Sequence, residues 1–161
     1  MKSSEKRPTR SDRLRRLIEV AIAARGHAYA PYSRYRVGAA IECASGAVFA
    51  GCNVENSSFG ATLCAERSAI AQMVLAGERH PVLCAVVTGG KVPGSPCGIC
   101  RQVLYEFTDD MPIVLVAVPS VPTKGSRGVS KLTRHDTTLA ALLPLGFRLQ
   151  SHASGRRGTP G

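Results

Sequence analysis

Cys64-Ala65-Glu66 and Pro96-Cys97-Gly98-Ile99-Cys100 together offer three potential thiolates and one carboxylate. Their reading decides how the rest of the chain must fold. Catalytic zinc keeps three protein ligands and leaves a fourth position open, whereas structural zinc is closed by four. Three cysteines lie in these motifs and no fourth ligand is obvious nearby, so the pattern reads as a catalytic zinc site built from Cys64, Cys97 and Cys100. Glu66, two residues from a ligand, is placed to move protons to and from a water without binding the metal.

The spacing has a physical reason at each end. Residues three apart at the start of a helix share a face, so Cys97 and Cys100 can reach one ion, and Pro96 suits the helix entry. The run Ala65 to Ala71 predicts a second helix beginning at Cys64. Two helix N-termini would then direct partial positive charge at the thiolates. A lone Cys-x-x-Cys also marks a redox pair or half of a zinc ribbon, but a ribbon wants a second such pair. The remaining cysteines, Cys43, Cys52 and Cys84, stand singly in apolar surroundings and read as small core residues. Glu66 has a plain alternative as a solvated helix residue, which its place in Cys-x-Glu disfavours.

A chain of 161 residues suffices for one well-buried domain. Six cysteines are too few for a disulfide scaffold of this length and fit a reducing cytosol. No apolar signal segment follows the polar N-terminus, and no run reaches membrane-span length, so a cytoplasmic protein without membrane association is expected. The formal charge of +10 is concentrated at the ends: residues 1–16 carry +5, residues 122–161 carry +6, and residues 17–121, with both motifs, carry −1. A near-neutral middle argues against a nucleic-acid groove at the site.

Residues 1–10 read as a disordered basic segment, 11–149 as the folded domain and 150–161 as a flexible basic tail. Ser11 is the expected N-cap of a first helix whose apolar residues Leu14, Leu17, Ile18, Ala21 and Ile22 recur until Gly26. Val37–Cys43 and Ala47–Val54 predict a hairpin around Ala44-Ser45-Gly46. The first metal helix should end at Gly77. Pro81–Thr88 and Ile113–Val118 read as buried strands flanking the second metal helix, which runs to about Glu106. Residues 119–129 predict a surface loop, and Thr137–Leu143 a short helix stopped by Pro144. Strands alternating with helices argue a three-layer α/β/α sandwich.

The residues also carry a resemblance. Cys-x-Glu followed by Pro-Cys-x-x-Cys is similar to the zinc deaminase signature, with Cys64 where histidine often stands. The stretches Tyr29-Ala30-Pro31-Tyr32-Ser33-Arg34-Tyr35-Arg36-Val37-Gly38-Ala39-Ala40, Gly51-Cys52-Asn53-Val54-Glu55-Asn56, Pro96 through Gln102, and Leu142-Leu143-Pro144 with Phe147 resemble the small, homotetrameric cytidine deaminases. The resemblance spans roughly residues 11–149. It implies a mixed five-stranded sheet, one Zn2+ per chain, and hydrolysis of cytidine and 2′-deoxycytidine to the uridines and ammonia in pyrimidine salvage. It implies further that Glu66 is the proton carrier and that Arg67 hydrogen-bonds the ligand sulfurs, restoring Lewis acidity that three thiolates weaken. Asn53 and Glu55 would take the ribose hydroxyls, and Tyr35 and Ala65 the pyrimidine. Tyr35 occupies a position where the family usually has Phe. Phe147 and Phe59 would reach a neighbouring subunit's site, and Tyr32 would lie at the interface of a homotetramer.

Rival readings keep the metal and change the partner. A reshaped pocket would take another aminopyrimidine, and an open groove would take cytosine in a polynucleotide. A nucleoside-binding protein without chemistry would have no need of Glu66. A purely structural zinc domain would need a fourth protein ligand.

Overall fold

The structure is a computed structural model that describes residues 9–119 and 132–149. The predicted N-terminal segment up to residue 8, most of the predicted 119–129 loop and the tail from residue 150 lie outside these residues. Among the described residues, four helices and five strands follow in the order α1 (Arg10–Gly26), β1 (Gly38–Cys43), β2 (Val48–Cys52), α2 (Ala65–Leu75), β3 (Pro81–Gly89), α3 (Gly98–Tyr105), β4 (Pro112–Val118), β5 (Thr133–Thr138) and α4 (Leu139–Leu142). A single 3-10 turn, Phe59–Ala61, precedes α2.

The strands form one mixed sheet in the order β2-β1-β3-β4-β5, with only β3 and β4 parallel. Alternate residues of each strand face opposite sides, and the two cores divide accordingly. Ile41, Cys84, Val86, Ile113 and Leu115 pack with Ala69, Ile70 and Met73 of α2, Leu104 of α3 and Leu139 of α4. Ala40, Ala85, Val87, Val114 and Val116 pack on the other face with Leu17 and Ala21 of α1. Both faces of the sheet are covered, as the alternation of strands and helices predicts. Cys43 and Cys84 are fully buried core residues and Cys52 is partly buried.

Two glycines let the helices approach the sheet. A Cβ on Gly38 would stand 2.1 Å from the Ala21 carbonyl oxygen of α1, and one on Gly51 would stand 2.4 Å from the Ala65 carbonyl oxygen of α2. The second contact seats the first metal helix directly on β2.

Three expectations are corrected. The N-cap of α1 is Thr9, not Ser11. Thr9 and Asp12 form a reciprocal capping box in which each backbone N–H donates to the other's side chain at 3.2 Å. The expected helix from Thr137 to Leu143 is instead the end of β5 followed by α4, with Thr138 capping that helix through its hydroxyl. Periodicity did not reveal β5 because its residues Thr-Arg-His-Asp-Thr-Thr are mostly exposed on the sheet edge, where no apolar alternation is required. The hairpin strands are shorter than expected. Asn53 and Val54 leave the ladder, and Val54 makes isolated bridges with Tyr29 and Leu63. Gly46 turns the hairpin at φ +88° and Gly77 stops α2 at φ +86°, conformations glycine adopts without steric penalty.

Candidate active site

Cys64 and Cys97 are the N-cap residues of α2 and α3, both with extended backbone, and neither side chain caps its own helix. Their carbonyls accept the first helical hydrogen bonds, from Ser68 and Arg101 at 3.0 Å, which leaves the thiols free to point outward. The two helices bring their N-termini together beyond the carboxyl end of β3, where ligand sites of open α/β sheets lie. The Sγ atoms of Cys64, Cys97 and Cys100 lie within 4.8 Å of one another, with Cys64 and Cys97 at 3.9 Å. Tetrahedral coordination with Zn–S bonds of about 2.3 Å puts sulfurs about 3.8 Å apart, so the donor set fits zinc in both chemistry and spacing. Among the described residues this is the sole group of three histidine, cysteine or acidic side chains close enough to hold a metal.

The electrostatics follow from the geometry. Hydrogen bonding from Cys100, followed by the Arg67 guanidinium, pulls the Cys64 thiol down to about 5, while the same bond and burial push Cys100 up. Arg67 donates to the Thr62 carbonyl and lies 4.0 Å from the Cys64 sulfur. Its Nε is buried without a partner among the described residues. Glu66 is 4% exposed, and burial raises its pKa, with the Cys64 charge adding to the shift. A carboxyl raised in this way is suited to receive and return a proton near neutrality. Arg101 fixes the second motif by donating to the Pro96 carbonyl at 2.8 Å, the Leu142 carbonyl at 2.9 Å and the Ser95 hydroxyl at 3.1 Å.

A cavity of about 200 Å³ opens onto this group and is lined by Tyr35, Asn53, Cys64, Ala65, Glu66 and Cys97. Val37, Thr62, Val86, Thr88 and Ser95 complete the wall, and the sequence motifs assign none of them a role in the site. The signal that could have found Thr88 is its place at the carboxyl end of a buried central strand. Glu55 is not on this wall. It lines an adjoining groove of about 500 Å³ with Tyr32, Ser33, Asn56, Phe59 and Thr62. Thr62 belongs to both. Phe147 lines neither cavity. It is 68% exposed, and its carbonyl accepts from Gln102 of α3 at 2.8 Å. A larger cleft of about 680 Å³ between α1 and β5 has Asp136 as its one carboxylate among the described residues, and Arg134 already pairs with it at 2.6 Å.

Three thiols at zinc-binding distance, beside a buried carboxyl at a half-open cavity of an α/β sandwich, have the composition of a zinc-dependent hydrolase site. Residues 11–116 match the family model described as the cytidine and deoxycytidylate deaminase zinc-binding region. The cytidine deaminase of Sporosarcina psychrophila is 41% identical over 133 residues, covering 82% of this chain and 89% of that protein. The cytidine deaminase of Halalkalibacterium halodurans is 51% identical over 91 residues, covering 56% and 69%. The crystal structure of cytidine deaminase from Burkholderia pseudomallei superposes with a TM-score of 0.70 at 41% identity, covering 83% of this chain and 98% of that one. The chain belongs to the cytidine and deoxycytidylate deaminase family, and its cofactor is zinc.

Proposed function

We propose that the protein hydrolyses cytidine and 2′-deoxycytidine to uridine and 2′-deoxyuridine, with release of ammonia, in pyrimidine salvage. The observation that carries this reading is the buried Glu66 carboxyl beside three converging thiols in a cavity of about 200 Å³. That volume lies below the range of about 300–1,000 Å³ usual for drug-sized ligands and suits a single base.

Cys64, Cys97 and Cys100 would hold the metal. Zinc, when bound, supplies the Lewis acidity that makes water a nucleophile near neutral pH. Glu66 takes one proton from the attacking water and gives it to N3 of the pyrimidine. As the water oxygen bonds to C4, Glu66 carries the second proton to the exocyclic amine. The C4–N bond then breaks with its electron pair on nitrogen, ammonia leaves and the uracil carbonyl remains. Arg67 offsets the charge of the thiolates. The Tyr35 ring lies against the base and Ala65 lines the same wall.

Asn53 and Glu55 take the sugar. Asn53 already donates from Nδ2 to the Tyr35 carbonyl and accepts on Oδ1 from the Val37 N–H, both at 2.8 Å. An amide has two donors and two lone pairs, so one of each remains for ribose hydroxyls. Glu55 keeps one lone-pair position for the same purpose after accepting from Tyr32 N–H, Ser33 N–H and the Ser33 hydroxyl.

A homotetramer with shared sites completes the proposal, in a cytoplasmic setting. It is supported by the aromatics left in the open: Phe59 is 79% exposed, Tyr32 is 55% exposed and edge-on to Phe59 at 6.4 Å, and Phe147 stands near the second metal helix. Sedimentation should give four chains, and Phe147→Ala should lower activity without loss of zinc. The central test is the fall in cytidine absorbance with zinc-loaded protein, run beside Glu66→Ala and a cytosine-containing single-stranded oligonucleotide. Turnover of the nucleoside by wild type alone is expected. Turnover by Glu66→Ala at full zinc content would overturn the proton route, and hydrolysis of the oligonucleotide would overturn the substrate class.

A further inference from the structure

The 30–36 loop contributes Tyr35 to the wall of the first cavity and Tyr32 and Ser33 to that of the second, and it carries the one non-glycine residue with left-handed backbone among those described, Arg34 at φ +59°. Backbone of this kind persists in a non-glycine residue where its surroundings over-determine it, and it is found preferentially at functional sites. Here the surroundings converge on one hydroxyl. Ser33 Oγ accepts from the Tyr35 N–H at 2.9 Å and donates to Glu55 Oε1. Glu55 Oε2 in turn accepts from the backbone N–H groups of Tyr32 at 2.9 Å and Ser33 at 3.2 Å. The Arg34 N–H donates to the Ala30 carbonyl at 3.1 Å, closing the turn.

Both backbone polar groups of Tyr35 are therefore held by side chains: its N–H by Ser33 and its carbonyl by Asn53. Ser33 and Asn53 clamp the residue from opposite sides. The Ser33 bond also holds the Glu55 carboxyl below its ordinary range, so the acceptor stays ionised near neutral pH. A hydroxyl is needed at this point because the position donates to one partner and accepts from another at once.

We propose that Ser33 is a positioning residue whose hydroxyl latches the 30–36 loop to Glu55, fixing at one point the carboxylate offered to a ribose hydroxyl and the ring of Tyr35 offered to the base. Arg34 supplies the turn that makes the latch close. This inference rests on the reading of Asn53, Glu55 and Tyr35 as nucleoside-binding groups.

The test compares zinc-loaded wild type with Ser33→Ala, Ser33→Thr and Arg34→Gly. It reads zinc content, kcat and KM for cytidine, and hydrogen exchange at the Tyr35 amide. Ser33→Ala should raise KM about tenfold with kcat within about threefold, as expected when a hydrogen bond to a charged group is lost from ground-state binding. Its zinc content should be unchanged and its Tyr35 amide should exchange about tenfold faster, while α2 amides exchange as before. Ser33→Thr keeps the hydroxyl and adds a methyl at an exposed position, so it should restore both KM and slow exchange. Arg34→Gly relieves the backbone and should keep both.

A Ser33→Ala protein with wild-type KM and slow Tyr35 exchange would overturn the proposal, as would Ser33→Thr impaired like Ser33→Ala. Should Ser33→Ala fail to fold, wild-type behaviour of Ser33→Thr supports the need for a hydroxyl and impairment of it refutes that need. A wild type that does not hydrolyse cytidine defeats the substrate reading, and amide exchange still decides the latch.

Discussion

Gly51→Ala tests how tightly the sheet holds the metal helix. The added Cβ would meet the Ala65 carbonyl oxygen and the Ala69 amide nitrogen at 2.4 Å and the Ser68 Cβ at 2.6 Å. Ordinary contact begins at 3.4 Å, so α2 must withdraw from β2 by about 1 Å, because the nearest atoms are backbone and no side chain can rotate away. Overpacking of one methyl against fixed atoms costs about 2–3 kcal/mol, at the upper end of its range. For a chain of this size that lowers Tm by about 5–10 °C. The same movement shifts Cys64 and Glu66 relative to Cys97 and Cys100, since the first pair lies at the start of α2 and the second at the start of α3. Misplacement by 1 Å costs on the order of a hundredfold in rate, and zinc should be lost faster to a chelator. Thermal unfolding, metal release and cytidine hydrolysis measure the three effects. Gly26→Ala is the control, because nothing lies within 4 Å of its added Cβ. If Gly51→Ala unfolds within about 2 °C of wild type and keeps its zinc, α2 is not seated on Gly51 and the reasoning fails.

Four further outcomes follow from the geometry. Arg13 Nε lies 2.7 Å from Glu42 Oε1, whose side chain is 7% exposed; Arg13→Ala should destabilise by about 1–2 kcal/mol, moderated by solvent around the half-exposed arginine, with Arg13→Ala/Glu42→Gln recovering part of it in denaturant titrations. Arg67→Gln should retain zinc and lower kcat more than it raises KM, because charge opposite the thiolates is lost while the cavity wall stays intact; an unchanged kcat would exclude the role. Chelation should open Cys97 and Cys64 to iodoacetamide while the fully buried Cys43 and Cys84 stay unlabelled, as mass spectrometry of the native protein can read. Hydrogen bonds from Thr9 hold the Asp12 carboxyl below its ordinary 3.8, so its contribution is present above that value and lost as pH falls through the lower folded pKa; the Tm gap between wild type and Asp12→Ala should close below pH 3.8 and persist at pH 6.

The division between what the sequence made legible and what it hid follows burial. β3 and β4 are buried on both faces and therefore read as apolar runs, and the cysteine motifs sit at helix starts because the metal needs two N-termini meeting at one point. β5 carries no such mark. As an exposed edge strand it answers to its neighbour's hydrogen bonds rather than to a core, and its threonines were the one local cue. The site divides in the same way. Cys64 and Glu66 are tied by one fixed short spacing and Cys97 and Cys100 by another, so each motif can be read in line. The wall of the cavity is assembled from β3, the 30–36 loop, the 53–62 connection and the turn at Ser95, which are contiguous only after the sheet has formed. Asn53 and Glu55 illustrate the limit. Two residues apart in sequence, they face two different cavities because Asn53 has left the ladder of β2 to hold the Tyr35 backbone, while Glu55 is turned to Ser33. Spacing alone would have placed both on one side of a strand. What separates them is a set of side-chain-to-backbone hydrogen bonds, which compete with strand pairing wherever asparagine, serine and acidic residues cluster at a strand's end.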